Sequence, residues 1–379
     1  MVKFSAKTLK AIVIGWVWIE CYALRTWDSD KHTFLLKPTI YTLKIMKAIS
    51  LFSGCGGDTL GMKMANIDVV GYSELKTKFC ETHDSNFTNC TLIGNDITKI
   101  PDEDFQKYEG KVDLIFAGFP CQGFSHGGKK EPNDPRSQMY LQFSRAMRII
   151  KPKYIIGENV KGLLSRKTPD GENFFKVIIN EFKNSGYTCT HRVCKATEFG
   201  VPQLRERLII LGKRGDEAPT FSELPEQLSV PNLKNIIKFD MTGALEVNPE
   251  TFKDIPDECI MTDLTNTEDE NNPHPYIVRQ RDNDFGFSFG KRISAIHSEI
   301  IDIRNPSKTI ICTYDHQPRL LVPLRNAKGC FLRTMTPDEL KQVQGFPSDY
   351  KLCGSTKEQI VQVGNAVPPA MIKWVCEGL

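Results

Sequence analysis

The chain has 379 residues, 40% of them hydrophobic and 25% charged, with a formal net charge of +3. That composition is that of a soluble globular protein with room for one large domain and a smaller one, and the near-balanced charge neither demands nor excludes a polyanionic partner. The twelve cysteines form no CxxC pair, and no histidine stands at finger-like spacing from Cys189 and Cys194. Zinc and a disulfide framework are therefore not expected, and a reducing, intracellular setting is.

Lys3, Lys7 and Lys10 precede an apolar run over residues 11–19 that is too short to span a bilayer. Glu20 and Cys21 follow where a secretory signal would need small residues. Residues 1–45 are expected to be an extension outside the fold, with Met46 an alternative start.

From Met46 onward short β-rich runs alternate with helical ones. Strands are expected at 48–52, 69–72, 112–117, 154–157 and 207–211, and helices after Asp58, over 136–150 and over 174–182. This alternation predicts an α/β fold with a mostly parallel sheet covered on both faces. Ligands of such sheets bind beyond the carboxyl ends of the strands, where the polar features of the chain fall. Residues 215–305 change in texture, with frequent Pro, Asn, Asp and Glu and an acidic stretch over 265–272. Within that loop-rich region, 276–281 and 285–292 interleave aromatic, glycine and basic residues. Helices return at 336–344 and after Pro369.

The turn Ser53-Gly54-Cys55-Gly56-Gly57 lets backbone approach a ligand at a strand-to-helix junction. Its spacing is not that of the dinucleotide fingerprint, and an ordinary tight turn reads equally well. Glu74, at the end of the next strand, suits ribose hydroxyls, and Asp96 suits an adenine amino group. Cys121 follows Pro120 at a strand end and precedes a loop rich in glycine and lysine, including Lys129 and Lys130. That setting favours a reactive thiolate over a core thiol. Glu158 ends the following strand; burial there would favour its protonated form for donation to a ring nitrogen, with a capping acid as the alternative. Alternation places Gln203, Arg205 and Arg207 on one strand face.

Taken in order, Phe52 to Gly57, Glu74, Asn95-Asp96-Ile97, Gly118-Phe119-Pro120-Cys121-Gln122-Gly123-Phe124-Ser125, Glu158-Asn159-Val160, Gln203-x-Arg205-x-Arg207, 333–340, 344–347 and 362–369 resemble the DNA cytosine-C5 methyltransferase family. The resemblance runs from about residue 46 to 379. It implies a Rossmann-like, S-adenosylmethionine-binding domain over 46–214, a target-recognition domain over 215–325, and a segment 326–379 that returns to the cofactor domain. It further implies that Phe52, Ser53, Gly54, Gly56, Gly57, Glu74, Asp96, Ile97, Pro120, Asn365 and Ala366 hold the cofactor. Cys121, Glu158, Arg205 and Arg207 would be catalytic. Gln122, Ser125, Lys129, Asn159 and Gln203 would meet the substrate, with Arg279, Arg281, Lys291 and Arg292 as candidate duplex contacts or a solvated basic face.

Two positions depart from the family pattern: Ser50 stands where an acid often precedes the first motif, and Met139 where a leucine is frequent. The resemblance implies a monomer acting on double-stranded DNA, with a companion restriction endonuclease left open. A tRNA-directed branch of the same family is the rival. It typically carries Cys-Phe-Thr, for which Cys330-Phe331-Leu332 is the nearest stretch here. A catalytically silent DNA-binding homologue is the rival of another class.

Overall fold

The computed structural model describes residues 12–14, 17–19, 21–28, 33–40, 45–120, 138–226, 229–283 and 286–379. Chain contacts divide the molecule into two units, Met1–Met46 and Lys47–Leu379. In the first, β1 (Ile12–Ile14) pairs antiparallel with β2 (Val17–Ile19), and β3 (Cys21–Asp28) with β4 (Thr33–Ile40).

In the second unit the elements of the larger sheet come first in the chain. Its elements are β5 (Lys47–Leu51), α1 (Gly57–Met64), β6 (Asp68–Ser73), α2 (Thr77–Asn86), β7 (Thr91–Gly94), α3 (Asp102–Gln106) and β8 (Leu114–Ala117). They continue with α4 (Met139–Ile150), β9 (Tyr154–Val160), α5 (Phe174–Asn184), β10 (Tyr187–Lys195), β11 (Gln203–Leu204) and β12 (Glu206–Arg214). The described strands form a seven-stranded sheet in the order β10-β12-β9-β8-β5-β6-β7. β5 to β9 are parallel, and β12 runs antiparallel to both β9 and β10.

Period-two alternation sorts the sheet's side chains between two helical layers. Ile49, Leu51, Ile115, Ala117, Ile155, Leu208 and Ile210 pack with Phe143 and Met147 of α4 and Ile178 and Phe182 of α5. α4 presents Phe143, Ala146, Met147 and Ile150 on one stripe at helical spacing. α5 starts at Asn173, whose side chain accepts the Lys176 N–H at 3.0 Å. Across the sheet, α1 lies so close to the last helix, α9 (Pro369–Glu377), that a Cβ on Gly61 would stand 2.5 Å from the Pro369 carbonyl oxygen.

The region expected to be loop-rich carries a second sheet. Its strands are β13 (Leu245–Val247), β14 (Met261–Asp263), β15 (Phe287–Phe289), β16 (Ser298–Ile300), β18 (Leu320–Asn326) and β19 (Cys330–Thr334), in the order β13-β19-β18-β16-β15 with β14 also on β18. Helix α6 (Pro275–Asp282) and the short strand β17 (Ser307–Lys308) interrupt the series. Four of these strands are three residues long, too short to impose a readable period. The return toward the first sheet starts later than residue 326, because β19 still belongs to the second sheet. Two further helices follow, α7 (Pro337–Val343) and α8 (Thr356–Asn365), and both share its apolar core through Leu340, Val343, Ile360 and Val363. Arg333, fully buried, pairs bidentately with Glu339 at 2.7 Å and ties α7 to β19.

Candidate active site

From β5 the chain adds β6 and β7 on one side and β8 and β9 on the other. Such a reversal opens a crevice at the carboxyl ends of the central strands, and a cleft of about 600 Å³ lies there. Phe52, Gly54, Glu74, Asp96 and Ile97 line one part; Phe119, Pro120, Glu158, Asn159 and Arg207 line another. Asn365 and Ala366, at the end of α8, also line it from the far end of the chain.

The turn after β5 is built under constraint. Phe52 adopts φ 57°, a conformation that costs a side-chain-bearing residue of order 1–3 kcal/mol. The Ser53 N–H to Ser73 carbonyl bond (3.1 Å) and the Gly118 N–H to Leu51 carbonyl bond (3.3 Å) hold the chain on either side of it. Gly54 (φ 58°) faces open space, and its N–H donates to Glu74 Oε2 at 2.9 Å. Gly56 and Gly57 serve the fold instead of the cleft. A Cβ on Gly56 would meet the Phe87 ring at 2.5 Å, and one on Gly57 the Val367 carbonyl oxygen at 2.4 Å.

Glu74 Oε1 accepts the Lys76 N–H at 2.9 Å, so its carboxylate bridges the turn and the start of α2. Burial pushes its carboxyl above the usual range, opposed by the Lys76 and Gly54 N–H groups. Each oxygen retains acceptor capacity for a ligand hydroxyl. Asp96 is oriented by the Thr98 hydroxyl (2.6 Å) and N–H (3.1 Å), and the hydroxyl above all holds it below the ordinary carboxylate range. This donor and acceptor set fits a nucleoside-bearing group.

Ser50 gives its hydroxyl to Asp58, a buried carboxyl on the first turn of α1. Desolvation drives the Asp58 pKa up to about 7, against hydrogen bonds from Ser50 and its own helix start. The acid missing before the first motif thus arrives from the helix beneath the turn. His83, also buried, accepts or donates with Thr59 at 3.1 Å and stacks on Tyr72.

At the other end, Glu158 Oε1 lies 2.8 Å from Arg207 Nε, and the two side chains are 14% and 13% exposed. Because β12 is antiparallel to β9, its first residues reach the carboxyl edge: Arg207 registers with Val160 and Ile209 with Glu158. Burial pulls the guanidinium below its usual range while the Glu158 carboxylate opposes the shift. Glu158 is therefore one half of an ion pair with Arg207 in the free cleft, where burial alone was expected to govern its carboxyl. Asn159 spends its amide on the scaffold, donating to the Phe119 carbonyl at 3.0 Å and accepting the Val160 N–H at 2.9 Å. It thereby fixes the chain just ahead of Pro120.

The three polar residues expected on one strand face are separated. A break between β11 and β12 falls at Arg205. Arg205 and Gln203 are buried, 1% and 0% exposed, and bond to other protein groups. Arg205 donates to the Ile310, Gly364 and Ala366 carbonyls at 3.1, 3.0 and 2.9 Å. Of the three, only Arg207 lines the cleft. Cys121, Gln122, Ser125 and Lys129 lie outside the described residues.

A model of the C-5 cytosine-specific DNA methylase family matches residues 46–379. The chain belongs to that family. It is 28% identical over 356 residues to the type II methyltransferase M1.HphI of Haemophilus parahaemolyticus, covering 91% of this chain and 89% of that protein. It is 32% identical over 336 residues to the type II methyltransferase M.PspPI of a Psychrobacter species, covering 84% and 75%. Among solved structures, the Entamoeba histolytica methyltransferase EhMeth superposes with a TM-score of 0.62 at 18% identity, covering 89% of this chain and 98% of that one, a likeness of fold.

The methylase cleft also uses residues that sequence reasoning passed over. Leu75, Lys76 and Phe79 line it beside Glu74, and Val367 beside Ala366. Leu75 is signalled by its place one residue beyond a parallel strand's polar end, and it is 66% exposed. Val367 is signalled by the stretch 362–369 already noted in the sequence, and the return of the chain brings it to the cleft. In the second sheet, Lys291 and Arg292 are exposed on the β15–β16 connection, next to Ile293 (70% exposed) and Ile296 (57%). Arg279 and Arg281 are exposed on α6, and Arg281 contacts the Glu246 carbonyl at 3.5 Å.

Proposed function

We propose that the protein transfers a methyl group from S-adenosylmethionine to C5 of a cytosine flipped out of duplex DNA, with Cys121 as nucleophile. The observation that carries this reading is the Glu158–Arg207 pair, in the same cleft as Glu74 and Asp96 and beside Pro120, the residue before Cys121. A carboxyl with a guanidinium is the pair that a pyrimidine's N3 and O2 require.

Cytosine C5 is too weak a nucleophile to take a methyl group unaided. Addition of the Cys121 thiolate to C6 places an electron pair on C5 through the ring, while a proton taken up from solvent and shared between N3 and the Glu158 carboxyl offsets charge at N3, and Arg207 balances charge at O2. Bound S-adenosylmethionine supplies an electrophilic sulfonium methyl group, and Glu74, Asp96, Phe52 and Asn365 are the side chains suited to hold it. Loss of the C5 proton to a base then re-forms the C5–C6 double bond and expels the thiolate. A stacked base cannot reach such a cleft, so it must leave the helix at a cost of roughly a few kcal/mol. Asn159 fixes the Phe119 backbone two residues before Cys121 in the sequence.

Residues 46–214 with α9 and the end of α8 would form the cofactor half, and the second sheet, whose core α7 and α8 share, the DNA-reading half. Lys291 and Arg292 suit phosphate or guanine contacts, and Ile293 and Ile296 suit apolar contact with a thymine methyl. Labelled methyl transfer to duplex DNA and to tRNA, followed by sequencing of the modified DNA, tests the proposal. Incorporation at cytosine C5 in duplex DNA is expected; labelling confined to tRNA, or none, would overturn it.

A further inference from the structure

The buried side chains of Gln203, Arg205 and Gln344 close a ring of hydrogen bonds through four separate parts of the chain. The Ile310 N–H donates to Gln203 Oε1 at 3.0 Å, and Gln203 Nε2 donates to Gln344 Oε1 at 2.5 Å. Gln344 Nε2 donates to the Ala366 carbonyl. Arg205 then joins that same carbonyl to the Ile310 carbonyl, closing the circuit, and adds the Gly364 carbonyl.

Four features make this more than ordinary packing. Each of the three side chains is at most 1% exposed, so the ring is formed without solvent competition. A fully buried guanidinium held by carbonyls, its Nε without a hydrogen-bond partner among the described residues, is an expensive way to make a joint. Apolar groups would serve stability alone more cheaply. Finally, the ring's two ends belong to different tasks. Ile310 lies in the second sheet's core and follows β17, which pairs with β11. Gly364 and Ala366 line the cofactor cleft on either side of Asn365. Gly364 is pressed against the same segment: a Cβ there would stand 2.5 Å from the Cys312 nitrogen.

We infer that this ring couples the two ligands, so that DNA docked on the second sheet and the cofactor held against the Gly364–Ala366 wall each favour the same arrangement of Ile310 and Ala366. Gln203 and Arg205 are then positioning residues that touch neither ligand. The inference rests on the DNA-methylating function proposed above and adds regulation to it. Binding linkage is reciprocal: a factor by which DNA tightens the cofactor must equal the factor by which cofactor tightens DNA.

The test measures S-adenosylhomocysteine affinity of the full chain with and without a duplex carrying the sequence it methylates, and duplex affinity with and without S-adenosylhomocysteine. In the native protein each ligand is expected to tighten the other by about fivefold or more. In Arg205→Lys and Gln203→Ala that ratio should fall close to one, while affinity for S-adenosylhomocysteine alone stays within about threefold, which also reports a folded protein. Gln344→Ala serves should Arg205→Lys not fold. Weakened binding of both ligands with the native ratio preserved would mean a merely structural joint and overturn the inference. So would a native ratio of one. Failure of the native chain to bind any duplex would instead sink the DNA-methylating reading, and this inference with it.

Discussion

The carboxyl edge of the first sheet and the β15–β16 connection of the second sheet are both polar, yet they are built in opposite ways. At the first, Glu74, Asn95, Asp96 and Asn159 are each tied to backbone by hydrogen bonds. At the second, hydrogen bonds hold the backbone of the connection, from Arg319 to the Ala295 carbonyl at 2.8 Å and from Gln280 to the Ile296 carbonyl at 3.3 Å, while the side chains of Lys291 and Arg292 stand exposed beside exposed Ile293 and Ile296. Chemistry needs groups fixed before the substrate arrives; reading a groove needs charge and apolar surface left free to be covered. Substitutions at the two regions should therefore fail differently.

The largest effect is expected at Glu158. Glu158→Gln keeps the shape and loses the proton, so single-turnover methyl transfer should fall roughly 10²- to 10⁴-fold with cofactor affinity nearly unchanged. A loss of similar size in cofactor binding would break the division of the cleft. Glu74→Ala should act in reverse. Loss of a charge-assisted bond of about 1.5–3 kcal/mol weakens S-adenosylhomocysteine binding roughly 10- to 100-fold by calorimetry, with single-turnover transfer at saturating cofactor much less affected.

Asp58 sharpens the same contrast through pH. Its folded pKa is raised from 3.8 to about 7, so its stabilising contribution is present below the unfolded value and is lost as pH rises through about 7. Asp58→Asn stays neutral. Urea unfolding should show the wild type losing ground to this variant by up to about 1.4 kcal/mol per pH unit between pH 4 and 7. A difference independent of pH would contradict the buried, proton-holding role. The smallest effect is expected in the second sheet, where Lys291→Ala and Arg292→Ala should each reduce the salt slope of duplex binding by about one, leaving saturated transfer rates intact. An unchanged slope would remove that connection from the DNA-facing surface.

Legibility in the sequence follows the same division. Strands β5, β8 and β9 are apolar runs ended by motif residues, so the cofactor turn, Glu74, Asp96 and Glu158 could be placed before any coordinates. Arg207 was reachable too, but its place at the carboxyl edge depends on β12 running antiparallel, which no spacing reveals. Arg205 resembled Arg207 in every local respect; only the chain's return at Ile310 and at Gly364–Ala366 separates a structural guanidinium from a cleft guanidinium. Four strands of the second sheet were hidden because three residues carry no period, whereas the apolar runs of β18 and β19, seven and five residues long, are a signal that the sequence does hold. Helix α8 was passed over although Ser355 and Glu358 form a capping box, a signal that the sequence does hold.

The central claim is that Cys121 attacks a cytosine presented to this cleft, and covalent trapping tests it most directly. Duplex DNA carrying 5-fluorocytosine in the methylated sequence, incubated with S-adenosylmethionine, should yield a denaturation-resistant protein–DNA adduct, with the cross-linked peptide mapping to Cys121. Cys121→Ser should give no adduct while still binding the cofactor. Adduct formation that survives Cys121→Ser, or its absence from the wild type under conditions where ordinary cytosine is methylated, would contradict the account.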